Sequence, residues 1–390
     1  KMDQIEELLT RRVEQILPNR EGLESLLRSG KKIKLYQGFD PTGSRLHLGH
    51  TIGMRNLQKF AELGHTVYAI FGTGTVLVGD PSQRDTGRAL ITDEEIQANL
   101  ASWKTQVSKI MDLERIQIVF NGDWLVPLTL KDIIKIAANI SATQLFKRES
   151  FQRRLDKGDT VWFHETLYPL LQGYDSVHLD VDLEIGGNDQ TFNMLVGREL
   201  QKKMNNREKW VLTNPMIFGT DGQQMSKSSG NCIWLDDGPT DMFGKGMAIS
   251  DNQVGPYMRL LTDMPMEEIE NLPNDPLNNK KRLAFEITKQ FHGGAEAQKA
   301  QSYFESVFQR QGTAATIPEI TIDSTSRTLL EVLDSANLGD SNSDRKRLIR
   351  DGAVSINDAK ITDPNQVITP QAGDIIKFGK HQFYKLTIKN

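Results

Sequence analysis

The sequence predicts an α/β protein: a parallel sheet with helices on both faces, then a mostly helical segment, then a small α+β segment. Three observations predict it. Strand-like and helix-like stretches alternate over the first 121 residues, the pattern of a parallel sheet joined by crossover helices. The alternation resumes after Asp159. From Thr325 the charge balance reverses, with 10 Lys and Arg against 8 Asp and Glu, where the preceding chain carries 37 against 43.

Each element has a local reason. Ile5, Leu8, Leu9, Val13, Ile16 and Leu17 recur at helical spacing until Pro18 stops the run, so a helix is expected there. A second short helix ends at Gly30. "KIKLYQG" reads as a buried strand and feeds Phe39-Asp40-Pro41-Thr42-Gly43, a run of turn formers. Leu48 to Leu63 is helical with Gly64 as its cap. "TVYAIFG" is a strand. Thr92 with Glu95 is a capping box opening a helix to about Leu113, and "RIQIVFN" is the third strand. Further on, "HETLYPLLQGYD" is helical, "DVDLEIGG" holds a strand, "DQTFNMLVGRELQKKM" is a long helix and "WVLTN" is strand-like. Asp237 to about Phe308 reads as helices. The expected domains are therefore 1–236, 237–310 and 325–390, with 311–324 as a linker.

Composition excludes several classes. The 390 residues are 38% hydrophobic and 25% charged, with a net charge of −4, so the chain does not coat nucleic acid, and any RNA contact must be a local basic patch. One cysteine, Cys232, excludes an internal disulfide framework and a zinc–cysteine cluster. A reducing cytoplasm fits, and no stretch reads as a signal peptide or membrane span. Asn139-Ile140-Ser141 is a formal glycosylation sequon without a secretory context.

Two short stretches carry the chemistry. "PTGSRLHLGHTIG" (41–53) places His47 and His50 where a strand hands over to a helix, and anions collect at such junctions. "GQQMSKSSGN" (222–231) brackets Lys227 with serines and glycines, and a lysine there can meet negative charge building in a transition state. Alone, each reads better as an ordinary surface feature. Their conjunction is far rarer than either part. A third pattern is Tyr168, Gln172 and Asp175, which helical spacing puts on one face, with Leu167, Leu170 and Leu171 left for the core.

His-x-Gly-His followed by Met-Ser-Lys-Ser resembles the two signatures of the class I aminoacyl-tRNA synthetases. "GFDPTGSRLHLGH", "GDPS", "YPLLQGYD", "IGGNDQ" and "QMSKS" together resemble the bacterial tyrosyl-tRNA synthetases over essentially the whole chain. The resemblance implies a Rossmann-like catalytic domain, a helical anticodon-arm domain and an RNA-binding domain similar to the one named after ribosomal protein S-four. It implies ATP and L-tyrosine as substrates, tRNA(Tyr) as acceptor, Mg2+ arriving with ATP rather than on dedicated protein ligands, a homodimer, and no membrane. The tyrosine is activated to an adenylate with release of pyrophosphate, then passed to the terminal ribose.

The resemblance also implies roles by position. Thr42 and His47 meet the departing pyrophosphate, His50 lies by the ribose region, and Lys227 stabilises the transition state, with Arg84 and Arg88 assisting. Asp40, Gly49, Gly187 and Asp189 belong to the ATP and adenylate side, and Gln190 lies at the reacting carbonyl. Tyr36 and Asp175 hold the phenol. Asp80, Tyr168 and Gln172 hold the α-amino group, with Thr75 near it. Arg345, Lys346, Arg347 and Arg350 are expected on one helix face against an RNA backbone.

The chain departs from the family at Gln224, where many members carry a first loop lysine. Three rivals are weighed. A tryptophan enzyme does not explain Tyr36 with Asp175. A non-catalytic RNA binder does not need His47, His50 and Lys227. A small-molecule nucleotidyltransferase does not need the basic tail.

Overall fold

The structure, a computed structural model, describes residues 3–81, 92–225, 230–308, 319–323, 328–339, 341–357, 359–379 and 382–389. The chain divides into two compact units, Lys1–Asp236 with Gly255–Asn271, and Asp237–Val254 with Leu272–Asn390.

The first unit is built on a six-stranded sheet among the described residues. Its strands are β1 (Gln15–Leu17), β2 (Lys34–Phe39), β3 (Thr66–Phe71), β4 (Ile116–Phe120), β5 (Leu183–Gly187) and β6 (Trp210–Asn214), in the order β1-β6-β5-β2-β3-β4. All neighbours pair in parallel except β1 on β6. Chain order reverses between β2 and β5, so a crevice opens there at the carboxyl ends of the strands. Hydrophobic strands suit a sheet covered on both faces: Leu35, Val67, Ile70, Ile116 and Leu183 are all buried.

Helices cover the sheet. Thr51–Glu62 lies between β2 and β3, and Asp93–Val107 precedes β4. The latter opens on the expected capping box, Thr92 N–H donating to Glu95 at 2.9 Å and Glu95 N–H to Thr92 at 3.3 Å. It stops at Ser108 rather than near Leu113, in a turn that buries Met111. Tyr168–Leu179 and Thr191–Asn205 flank β5.

Two expectations need correction. The apolar run 5–17 is not one helix. Gln4–Leu8 is helical, and Gln15–Leu17 pairs with β6. Between them Arg11 and Arg12 turn inward and donate to the carbonyls of Arg259, Leu260, Thr262 and Met264. Sheet pairing and these buried carbonyl contacts override the helical periodicity. The same contacts explain why residues 255–271 lie with the first unit rather than with the helical segment that follows it in sequence.

The second unit carries helices Pro239–Ala248, Pro276–His292 and Gly294–Phe308, with Phe243, Met247, Ala284 and Ala300 at their core. Among the described residues it also carries a five-stranded sheet of β7 (Glu319–Asp323), β8 (Val354–Ile356), β9 (Ala359–Lys360), β10 (Ile375–Phe378) and β11 (Gln382–Lys389), ordered β7-β11-β10-β8-β9. Part of the expected linker is thus β7, paired in parallel with β11. The alternation of Ile320 and Ile322 made it a strand despite the linker-like composition before it. The helices and this sheet, expected as separate domains, cluster together. Tyr303 hydroxyl bonds both Phe383 O at 2.9 Å and Phe383 N–H at 2.6 Å, and Gln382 donates to Asp241 at 3.1 Å.

Candidate active site

The carboxyl ends of β2, β3, β4 and β5 open into one cavity of about 660 Å³, within the range of small-molecule sites. The connections that follow them, with Pro215, Met216 and Ile217 after β6, supply its wall, because each strand hands its next residues to the crevice.

After β2 come Asp40, Thr42, His47, Gly49 and His50, all lining the cavity. His47 caps the short turn Leu48–His50: its Nδ1 accepts from Gly49 N–H at 3.2 Å, and its own N–H meets His50 Nδ1 at 3.2 Å. Two histidines thus make a capping box, with ring centroids 3.9 Å apart. His47 Nδ1 accepts, so its ring proton sits on Nε2, whereas His50 Nδ1 lies 3.2 Å from both the N–H and the carbonyl oxygen of His47. A helix start with free N–H groups was expected here, and that expectation needs correction. Leu48 N–H donates to Ile233 O at 3.0 Å, and Gly49 and His50 N–H groups are taken by His47. What this turn offers the cavity is therefore its two imidazole side chains. The loop is braced from outside, where Leu235 N–H donates to Leu46 O at 2.8 Å.

After β3, Thr75 donates to Asp40 at 2.7 Å, and Tyr168 donates to the other Asp40 oxygen at 2.8 Å. Gly72 is required for this: a Cβ there would stand 1.9 Å from Asp40 Oδ1 and 2.4 Å from Thr75 Oγ1. Asp80 lines the cavity and accepts from Gln190 at 2.7 Å.

After β4 stands Asn121, buried to 1% exposure. Its oxygen accepts from Gly74 N–H at 2.8 Å, and its amide donates to Thr75 Oγ1 and to Asp175, each at 3.1 Å. Trp124 Nε1 donates to the second Asp175 oxygen at 2.8 Å. Burial pushes the Asp175 carboxyl well above the usual carboxylate range, against the pull of these two donors.

After β5, Gly187, Asp189 and Gln190 line the cavity, with Gln190 donating to Asp189 at 2.8 Å. Opposite, Tyr168, Gln172 and Asp175 all face the same cavity from their helix, as their spacing requires. Burial, then the Asp40 carboxylate, raises the Tyr168 phenol well above its ordinary value, so it stays protonated and donates. Gln224 reaches the wall from the 222–231 stretch.

The structure does not bring every expected residue here. Tyr36 lies behind the wall, fully buried, its hydroxyl 2.9 Å from Ser176 Oγ, and it is not a lining residue. The three residues that follow it on β2, Gln37, Gly38 and Phe39, line the cavity instead. Lys227, Arg84 and Arg88 lie outside the described residues. In the second unit, Lys346, Arg347 and Arg350 are exposed, but Arg345 is buried. Its guanidinium donates to Leu338 O at 2.6 Å and pairs with Asp334 at 2.8 Å. On this helix (Asn342–Arg350) the position shares the inward face with Ile349, so Arg345 braces the fold and does not belong to the basic face.

Sequence reasoning missed Asn121, Trp124 and Arg148. Asn121 had one legible signal, its place directly after a predicted strand. Arg148 is buried, stands 3.5 Å from Asp80 and lies 5.6 Å from the rings of both Phe151 and Phe192. Nothing local in the sequence marks it.

The family described as "tRNA synthetases class I (W and Y)" matches residues 28–309, and the "Tyrosine--tRNA ligase SYY-like C-terminal domain" matches residues 309–384. The chain is 39% identical over 389 residues to a tyrosine–tRNA ligase of Thermotoga maritima, covering 97% of this chain and 96% of that one. It is 40% identical over 391 residues to a tyrosine–tRNA ligase 2 of Pseudoalteromonas translucida, covering 97% and 98%. In fold it is similar to a C-terminally truncated mitochondrial tyrosyl-tRNA synthetase of Aspergillus nidulans (TM-score 0.69, 24% identity, 79% of this chain, 95% of that chain). It is also similar to the tyrosyl-tRNA synthetase of Archaeoglobus fulgidus complexed with L-tyrosine (TM-score 0.61, 22% identity, 77% and 100%).

Proposed function

The chain belongs to the class I tRNA synthetases of the tryptophan and tyrosine branch, and on that premise we propose that it activates L-tyrosine with ATP and esterifies tRNA(Tyr). The observation that carries this is the placement of Tyr168, Gln172 and Asp175 on one helix face, in the same cavity as His47 and His50. One end of the cavity offers buried acceptors to a phenol and an ammonium. The other offers imidazole donors to phosphates.

The chemistry needs little from the protein beyond placement. In the first step a tyrosine carboxylate oxygen attacks the α-phosphorus of ATP, and the bond to the bridging oxygen breaks as pyrophosphate leaves. The carboxylate is ionised at neutral pH, so no general base is required. Catalysis is positioning plus donors aimed at developing charge. His47 and His50 supply imidazole donors to the phosphates, Thr42 stands beside them, and Lys227 adds a cation. In the second step a hydroxyl of the terminal tRNA ribose attacks the tyrosyl carbonyl, and AMP leaves.

For the amino acid, Asp175 accepts the phenol hydroxyl, with its orientation set by Asn121 and Trp124. Asp80 and Gln172 accept from the α-ammonium. Tyr36 has no direct part in this reading. ATP enters as its Mg2+ complex, which stays net negative, so its phosphates belong with the imidazoles and Lys227 rather than with Asp40, Asp80 and Asp189. Among the described residues no group of three or more His, Cys, Asp or Glu is placed to hold a metal.

Further assignments rest on the same reading. The 237–308 helices serve the anticodon arm, and Lys346, Arg347 and Arg350 bind the tRNA backbone. A second copy covers the apolar side chains that the first unit exposes at Val126, Leu130, Ile134, Trp162 and Phe163, of which Phe163 is 78% exposed; patches of this kind mark interaction surfaces. We place the protein in the cytoplasm, in keeping with its single, buried cysteine. No described helix is long and apolar enough to cross a membrane.

The test is ATP–pyrophosphate exchange without tRNA, run with tyrosine, phenylalanine and tryptophan. Exchange with tyrosine alone is expected. Exchange with tryptophan, or with none of the three from folded protein, overturns the reading.

A further inference from the structure

Behind the cavity wall lies a buried polar cluster that the reaction as described does not use. Lys209 has 0% exposure. Its ammonium pairs with Glu184 and donates to Ser176 Oγ at 2.7 Å. Glu184, 2% exposed, sits on β5 with its side chain at the cavity wall. Its other oxygen accepts from Gln172 Nε2 at 3.0 Å. The space for the ammonium is built in: a Cβ on Gly197 would stand 2.6 Å from Lys209 Nζ.

This arrangement decides which way the Gln172 amide faces. An ionised carboxylate only accepts, so it holds the NH2 end of Gln172. The amide oxygen is then left buried, with no hydrogen-bond partner. A buried acceptor without a partner is costly unless a ligand supplies the donor. Lys209 contacts the Glu184 oxygen that Gln172 does not use, so the position of the carboxylate, and with it the direction of the amide, is held from behind the wall.

We propose that Lys209 is a positioning residue for substrate binding: by holding the Glu184 side chain in place it fixes Gln172 Oε1 as an acceptor for the α-ammonium of the amino acid. The proposal rests on the tyrosine-activation reading for the identity of that ammonium. Lys209 touches no substrate. Its effect reaches the cavity only through Glu184 and Gln172.

The test compares two ligands, L-tyrosine and its desamino analogue 3-(4-hydroxyphenyl)propionate, which keeps the phenol and carboxylate and lacks the ammonium. Lys209→Met alone strands a buried carboxylate and risks the fold. The working variant is therefore Lys209→Met with Glu184→Gln, an uncharged pair of similar volume. A thermal melt close to wild type confirms that it folds. Tyrosine binding to this variant is expected to weaken about 10-fold or more, the scale of one hydrogen bond to a charged group. Affinity for the desamino analogue and KM for ATP are expected to stay within about twofold of wild type. Adding the pair to Gln172→Ala should cost nothing further, since both act through one amide. Equal loss for both ligands, or no loss for either, overturns the proposal. If wild-type protein itself fails to bind tyrosine, the activity reading has failed instead, and the proposal falls with it.

Discussion

Asn121 donates to Asp175 at 3.1 Å while its oxygen holds Gly74 N–H at 2.8 Å. One buried amide thus ties the carboxylate on the 168–179 helix to the loop after β3. Asn121→Ala removes both hydrogen bonds, together with the one to Thr75 Oγ1 at 3.1 Å, and leaves the Gly74 N–H without its partner. We expect a loss of about 10- to 100-fold in kcat/KM for tyrosine, the ~1–3 kcal/mol of a buried group left unsatisfied. Pyrophosphate exchange measures it. An effect confined to KM for ATP contradicts the placement of Asn121 at the tyrosine end.

Asp175 is the sharper probe of selectivity. Asp175→Ala is expected to lower exchange with tyrosine far more than with phenylalanine, so their ratio collapses. A site built to hydrogen-bond a hydroxyl rejects the analogue lacking it by a factor of about 10⁴–10⁵, a magnitude known from tyrosyl-tRNA synthetases themselves. A variant that keeps full discrimination shows that the phenol is recognised elsewhere.

His47 has two separable tasks, capping through Nδ1 and donating through Nε2. Asparagine is among the best capping residues but has no donor at the Nε2 position. His47→Asn should therefore melt close to wild type and bind tyrosine within about twofold, while adenylate formation falls by about 10²–10³. Rapid-quench measurement of adenylate separates rate from binding. Unchanged rates assign the ring to the fold alone.

The basic residues of the Asn342–Arg350 helix should split into two classes. Arg345→Ala breaks a buried network and is expected to cost about 1–3 kcal/mol of stability. Replacing Lys346, Arg347 and Arg350 with alanine should leave the melt nearly unchanged and weaken tRNA binding. The slope of log K against log salt should flatten by about 0.7–0.9 for each phosphate no longer neutralised. Binding that does not respond to these three changes moves the RNA-binding face to another surface.

Asp263 links pH to stability. It stands 2.7 Å from Arg55 and 3.1 Å from Arg12. Burial raises its carboxyl, but Arg55 and Arg12 outweigh that and hold it below its ordinary value. A carboxyl with a depressed folded pKa stabilises above its unfolded value, about 3.9, and the contribution disappears as pH falls through the folded value. Asp263→Asn should cost about 1–2 kcal/mol at neutral pH, discounted because the side chain is 52% exposed. The difference should be lost in acid, as pH falls through the folded value. Urea unfolding at both pH values checks the sign.

The sequence by itself determined the alternation of β2 to β6 with their helices, because an apolar strand and an amphipathic helix each declare themselves within a few residues. It also determined that Tyr168, Gln172 and Asp175 share a face, since helical spacing is local geometry. The His47 and His50 cluster was legible for the same reason. Tertiary structure alone decided which groups stand behind those faces. Asn121, Trp124 and Arg148 reach the site from segments far away in the chain, and no local pattern marks them. Tyr36 and Arg345 look like site residues in sequence, yet both are buried, Tyr36 against Ser176 and Arg345 on the inward face of its helix. Residues 15–17 read as helix and became a strand, because pairing with β6 returned more than the local periodicity did. Local propensity is written in adjacent residues. Burial, partner choice and the direction a side chain finally points are set by contacts that only the folded chain makes.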